Sequence, residues 1–211
     1  MRPYEKNAAA ICAASFGTIR AEARLERFDA GMERIAVGLI QACGMVEIAD
    51  RIAFSDGAYA AGHAALARGA PILCDCEMVG AGIIQNYLKG NDVIVTLNDT
   101  RTPGIAAGIG NTRFAAAVEL WADHLEGAVV AIGNAPMALF HLLELIDQGA
   151  PKPAVILGFP VGFVGAAESK AELAEHPRGC EFVALRGRRG GSAMASAAVN
   201  ALAAGLPELD T

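Results

Sequence analysis

A three-layer α/β/α domain, with a mainly parallel sheet of about five strands and helices added at the N-terminus, is the fold class predicted by this 211-residue sequence. Three observations carry that expectation. From residue 70 onward, short apolar runs recur at 71–74 (PILC), 93–97 (VIVTL), 128–132 (AVVAI), 154–158 (AVILG) and 182–185 (FVAL). Strands covered on both faces read as continuous apolar runs, because neither face meets water. Between the runs lie segments with helical spacing, near 76–88, 112–125, 134–148, 166–175 and 191–204. Strands alternating with helices argue for parallel crossover units. Finally, hydrophobic residues make up 54% of the chain and charged residues 19%, which supplies a large core and excludes a disordered chain.

The first seventy residues read as helical. One helix is expected over 7–25, with Asn7 as N-cap and Ile11, Phe16 and Ile19 on related faces. A second covers roughly 32–52, and a third runs from Ser55-Asp56 to near Gly69. No internal repeat or low-complexity linker divides the chain, so residues 1–211 are read as one domain. Abundant alanine and glycine with only 6% aromatic residues suit closely packed helices and subunit contacts.

Charge and motif content narrow the function. A net charge of −6 does not favour nucleic acid as a partner. The start lacks a long apolar segment, and glycines, prolines and charges break every candidate membrane span. With five cysteines and no signal peptide, a reduced, cytoplasmic protein without membrane attachment is expected. The Cys74-x-Cys76 pair has no companion pair to complete a zinc site and reads as structural. His63, His124, His141 and His176 are scattered, not spaced as metal ligands. Neither a GxGxxG turn after the first strand, a phosphate-binding P-loop nor a GxSxG elbow is present.

In open parallel sheets, ligands bind beyond the carboxyl ends of the strands, which directs the reading to the segments after each run. Asp75 follows the first run and either caps the next helix or serves a ligand. After the second run, Gly108-x-Gly110-Asn111-Thr112-Arg113 opens a helix that Asn111 or Thr112 can cap. Arg113 then stands in a first turn, where a cation opposes the helix dipole, and suits a bound carboxylate. Gly133-Asn134-Ala135-Pro136 starts the next helix and offers backbone N–H groups to an anion. The apolar loop with Phe159, Val161, Phe163 and Val164 leads to Lys170; it suits a flat apolar ligand with acidic groups, or a partner subunit. Arg186, Arg188 and Arg189 precede Gly190-Gly191-Ser192 and favour an anion over a merely solvated face. Repeated anion-accepting helix starts with few acid–base groups point to a polycarboxylate ligand.

Eight stretches together resemble the precorrin-8X methylmutase (precorrin isomerase) family. They are ASFGTIRAEA at 14–23, QACGM at 41–45, GAPILCD at 69–75 and GNTR at 110–113. AIGNAPMALFHLLE at 131–144, GAPKPA at 149–154, PVGFVGAAESK at 160–170 and GRRGGSAMASAAVNAL at 187–202 complete the set. The resemblance covers nearly the whole chain. It implies an isomerase of cobalamin (vitamin B12) biosynthesis that moves a methyl group from C11 to C12, turning precorrin-8X into hydrogenobyrinate. It also implies no metal or organic cofactor, a homodimer with sites at the subunit interface, and neighbouring corrin-pathway enzymes as partners.

The resemblance places the family's catalytic histidine, from its His-Ala-Cys-Gly motif, on Gln41. Histidine can supply a proton to a ring nitrogen and bear developing charge, whereas glutamine offers only a hydrogen bond. By periodicity alone, Gln41 is a polar residue on a mostly apolar helix. Ile84 stands where the family has threonine, Met137 replaces a second threonine, and Gly38 stands where an arginine is common. Ser15 and Arg113 match positions the family uses around its substrate. With Ile84, Asn111, Gly133, Asn134, Ala135, Lys170 and Arg186 they form the expected substrate-binding set. Three readings follow: a methylmutase weakened at Gln41, an inactive corrinoid-binding protein that holds product or intermediate, and a disabled chain.

Overall fold

A six-stranded sheet organises the computed structural model, which describes residues 4–204. The strands are β1 (Ile52–Phe54), β2 (Ile72–Cys74), β3 (Val93–Val95), β4 (Val129–Ile132), β5 (Val155–Gly158) and β6 (Glu181–Leu185). Their spatial order is β1-β6-β5-β4-β2-β3, parallel throughout except that β1 runs antiparallel to β6. Nine helices accompany them in the described residues: α1 (Ala8–Glu22), α2 (Ala30–Cys43), α3 (Ala58–Ala67), α4 (Glu77–Gly82), α5 (Thr102–Ile109), α6 (Arg113–Glu119), α7 (Pro136–Asp147), α8 (Ala166–Glu175) and α9 (Ser192–Ala204). None of them is long and apolar enough to cross a membrane.

The layers follow from side-chain alternation in the strands. Ile72, Cys74, Val129, Ala131, Val155, Leu157, Val183 and Leu185 join a core with α1, α2, α3 and α9. Leu73, Val130, Ile132, Ile156, Phe182 and Ala184 join the opposite core, with α6, α7 and α8. Both faces are dry, which is why these strands read as unbroken apolar runs.

The strand absent from the sequence reading is β1. The helix expected to reach residue 52 stops at Cys43, because Gly44 adopts a left-handed conformation (φ 69°) and returns its N–H to the Ile40 carbonyl at 2.7 Å. A 3₁₀ turn over Val46–Arg51 follows, and only then do Ile52–Phe54 pair with β6. The apolar residues of the turn continue the helical spacing, so periodicity could not separate them. Further along, the helix expected at 76–88 ends at Gly82, with a separate 3₁₀ turn at Gln85–Tyr87. The loop expected between β3 and Asn111 contains α5, started by Pro103 in its first turn and anchored by Thr102 Oγ1, which donates to the Thr96 carbonyl at 2.8 Å. Asn7 caps α1 as expected, accepting from the Ala10 N–H at 3.1 Å. Phe16 and Ile19 are buried, but Ile11 is not.

Two details matter below. The ladder bonds of β1 fall at Arg51 and Ser55, so the Ile52 carbonyl faces away from β6. Arg27 Nη2 donates to that carbonyl and to the Ala49 carbonyl (2.8 Å), while its guanidinium lies over Phe28 and Phe54. Secondly, α2 packs along α9, and a Cβ added at Gly38 would meet Ala197 O and Ala201 Cβ at an ordinary 3.6 Å. Glycine within a helix costs about 0.5–1 kcal/mol relative to alanine. Gly38→Ala is therefore expected to raise unfolding stability by about that amount, read as a higher urea midpoint at unchanged slope.

Candidate active site

Gln41 and Ser15 line one open cleft of about 640 Å³ between α1 and the end of α2. Ile11, Ser15, Thr18 and Glu22 recur at helical spacing along α1, and Ile40, Gln41, Gly44 and Val46 close the other side. The left-handed turn at Gly44 ends α2 beside the cleft and leaves the Gln41 side chain exposed there. Glu5 and Glu22 are the only carboxylic acids among the described residues lining it, and no imidazole is present. The Glu5 carboxyl is held below its ordinary range by the N–H groups of Asn7 and Lys6, so it is a poor proton donor. Cys43 is half-buried, and burial pushes its thiol up, away from the reactive thiolate.

At the carboxyl ends of the strands, the internal carboxylate of Asp75 organises the centre. Oδ1 accepts from the Gly133 N–H at 3.0 Å, and Oδ2 accepts from the Asn134 and Ala135 N–H groups, both at 2.8 Å. Burial pushes this carboxyl up and the three donors pull it down. Burial is the larger effect, so this carboxyl stands above its ordinary value. Asp75 caps α7 from the neighbouring strand rather than the helix that follows it. Asn134 is not the cap, and the N–H groups expected to meet a ligand's anion are occupied within the fold.

The loops after β5 and β6 are stitched together. Gly191 N–H donates to the Phe159 carbonyl (2.8 Å) and Gly162 N–H to the Arg188 carbonyl (3.2 Å). The approach at Gly190 admits no side chain, since a Cβ there would stand 2.2 Å from the Phe159 oxygen. Arg188 lies 5.3 Å over the Phe163 ring, which is 83% exposed, and Arg189 Nη1 bonds Glu47 Oε1 at 2.8 Å. Lys170 is fully buried beneath this loop, with its Nζ donating to the Arg189 carbonyl.

Against this geometry, the model of the precorrin-8X methylmutase family matches residues 10–204. The chain belongs to that family. It is 60% identical over 204 residues to the precorrin-8X methylmutase of Pseudomonas aeruginosa, covering 96% of this chain and 98% of that one. A precorrin-8X methylmutase from a Sinorhizobium species is 56% identical over 201 residues, covering 95% and 96%. The solved precorrin-8X methylmutase of Thermus thermophilus superposes with a TM-score of 0.83 at 37% identity, covering 92% of this chain and 94% of that one.

In this methylmutase-family fold, the expected site residues do not gather at one point. Ser15 and Gln41 share the α1–α2 cleft. Arg113 and Asn111 stand at the start of α6, where Thr112, not Asn111, caps the helix by accepting from Ala115 N–H at 3.2 Å. Arg113 Nη2 donates to the Leu97 carbonyl (3.0 Å) and Asn98 Oδ1 (2.9 Å); its Nη1 and Nε have no protein acceptor among the described residues. Gly133, Asn134 and Ala135 surround Asp75, and Ile84 is exposed, with its N–H given to Asn200 Oδ1 at 2.9 Å. Arg186 lies apart, in a groove of about 350 Å³ with Arg27, Asp50, Phe54 and Phe182 at the β1 edge, because β6 carries it past the last strand pairing. Sequence reasoning missed Thr18 and Glu22; their spacing of three and seven residues from Ser15 was the available signal.

Proposed function

We propose that the protein is a precorrin-8X methylmutase of cobalamin biosynthesis, an isomerase that moves the C11 methyl group of precorrin-8X to C12 and yields hydrogenobyrinate. The family match over residues 10–204 carries this reading. The Pseudomonas aeruginosa and Sinorhizobium relatives are named for precorrin-8X, which supports a cobalt-free substrate. The α1–α2 cleft takes the reacting edge of the macrocycle. Its walls of Ile11, Ile19, Ile40 and Val46 are apolar, and Ser15, Thr18 and Gln41 supply hydrogen bonds. No redox change or external group donor is needed, because the methyl group leaves and rejoins the same molecule. The enzyme binds the macrocycle, holds it oriented and stabilises charge as the methyl migrates.

Substrate carboxylates fall to the exposed cations at the strand ends, Arg113 foremost, since its Nη1 and Nε each keep a donor for a charge-assisted bond. A charge-assisted hydrogen bond contributes about 1.5–3 kcal/mol, so Arg113→Ala is expected to weaken hydrogenobyrinate binding by roughly ten- to a hundredfold. Titration of the pigment's absorbance checks it, and unchanged affinity removes the assignment. We place the reaction in the cytoplasm, in a homodimer with the exposed Phe163 and Val164 turned toward the subunit interface, next to enzymes that supply and consume the macrocycle.

Purified protein mixed with precorrin-8X should produce the absorbance change to the orange product. Gln41 favours a second reading, in which the chain binds the macrocycle and does not turn it over. Tight pigment binding without turnover selects that reading, and absence of binding defeats both.

A further inference from the structure

We propose that Lys170 is a positioning residue of the Gln41 cleft, acting through the Arg189 carbonyl and the Arg189–Glu47 ion pair without touching ligand; this rests on the corrinoid reading above. The Lys170 side chain is 0% exposed, and among the described residues its ammonium bonds the Arg189 carbonyl and no carboxylate. Burying a cation without a counter-charge is costly, and it lowers the Lys170 pKa from 10.5 to about 8. An apolar side chain of the same length would fill this space without that penalty. The bond to the Arg189 carbonyl is what an ammonium adds.

That carbonyl belongs to the stretch joining β6 to α9, which is held at three other points. Gly162 N–H meets the Arg188 carbonyl at 3.2 Å, Gly191 N–H meets the Phe159 carbonyl at 2.8 Å, and Arg189 Nη1 meets Glu47 Oε1 at 2.8 Å. The last contact leads to the cleft. Glu47 lies in the 3₁₀ turn that leaves α2, next to Val46, and Val46 and Gly44 form the cleft wall beside Gln41. Lys170 is fixed in turn by α8, where Ser169 and Leu173 are fully buried. A buried helix, one ammonium, one loop and one ion pair therefore stand in series behind the segment 44–47. Releasing the Arg189 carbonyl lets the loop shift and carries Glu47 with it.

Lys170→Met removes the ammonium and keeps an unbranched apolar stem. The expected result is a Kd for hydrogenobyrinate raised roughly tenfold and faster amide exchange at 44–47 and 188–191, with a thermal midpoint unchanged or higher. A residue that merely supports the fold would lower the midpoint instead. Glu47→Gln, on the surface, should reproduce the affinity loss, and the double variant should be no worse than Lys170→Met alone. Unchanged affinity and exchange in Lys170→Met, or additive losses in the double variant, overturn the proposal. Should Lys170→Met fail to fold, wild-type affinity in Glu47→Gln overturns it alone. If the wild-type protein binds no hydrogenobyrinate, the corrinoid reading falls, and the exchange comparison still decides whether Lys170 holds the segment.

Discussion

Gln41→His is expected to raise the turnover of precorrin-8X by roughly 10²–10⁴, the range general acid–base catalysis contributes, while hydrogenobyrinate affinity changes little. Gln41 stands in the cleft with Ser15, where Glu5 and Glu22 are the only carboxylic acids among the described residues. The N–H bonds of Asn7 and Lys6 keep Glu5 ionised, and a glutamine amide transfers no proton near neutral pH. Binding and orientation remain, and they support a reduced rate. An imidazole at the same exposed position restores a group that titrates near pH 6.5. Because position 41 is exposed and lies in the last turn of α2, the exchange should not disturb the core. Steady-state turnover with a parallel pigment titration separates the two effects. An unaltered rate would move the deficit to Ile84, Met137 or Gly38.

Asp75→Ala should cost about 3–5 kcal/mol of folding stability, the largest loss expected from any single truncation near the site. It strips the acceptor from three amides at once, those of Gly133, Asn134 and Ala135. Gly133 and Ala135 are buried, so their donors cannot turn to water. The start of α7 also loses its cap, since Ala135 has no side chain to provide one. Asp75→Asn should fall between the two, because an amide keeps one acceptor oxygen and sets an NH₂ against a donor. Chemical denaturation at matched slope measures both variants. A loss under about 1 kcal/mol for the alanine variant would mean that solvent reaches those amides.

Much of the fold was legible in the sequence because its sheet is dry on both sides. Runs such as AVVAI and AVILG, short and bounded by turn residues, read as strands buried on both faces, and the glycine and proline punctuation around them located most helix starts. What periodicity could not reveal was β1. Three apolar residues that follow a 3₁₀ turn keep the helical spacing, and only their pairing with β6 distinguishes them. The glycine-rich stretch before Asn111 concealed α5 for the opposite reason, composition speaking for a loop while Thr102 and Pro103 started a helix. Of the candidate site residues, the motifs singled out Ser15 and Gln41, and the two line one cleft. The meaning of Asp75 was out of reach, because its partners lie 58 to 60 residues ahead, in the turn that follows β4. The same holds for Lys170, whose acceptor is a backbone atom that no sequence pattern marks.

Arg27 sets a limit on how this protein can assemble. An unpaired strand edge invites a neighbouring chain to continue the sheet. Here the outward carbonyl of Ile52 is already taken by a guanidinium clamped against two phenyl rings, and β1 is only three residues long. A strand arriving at that edge would have to dislodge a cation and forfeit its ring contacts before forming a first bond. Fibre-like growth of the sheet from the β1 side is thereby discouraged.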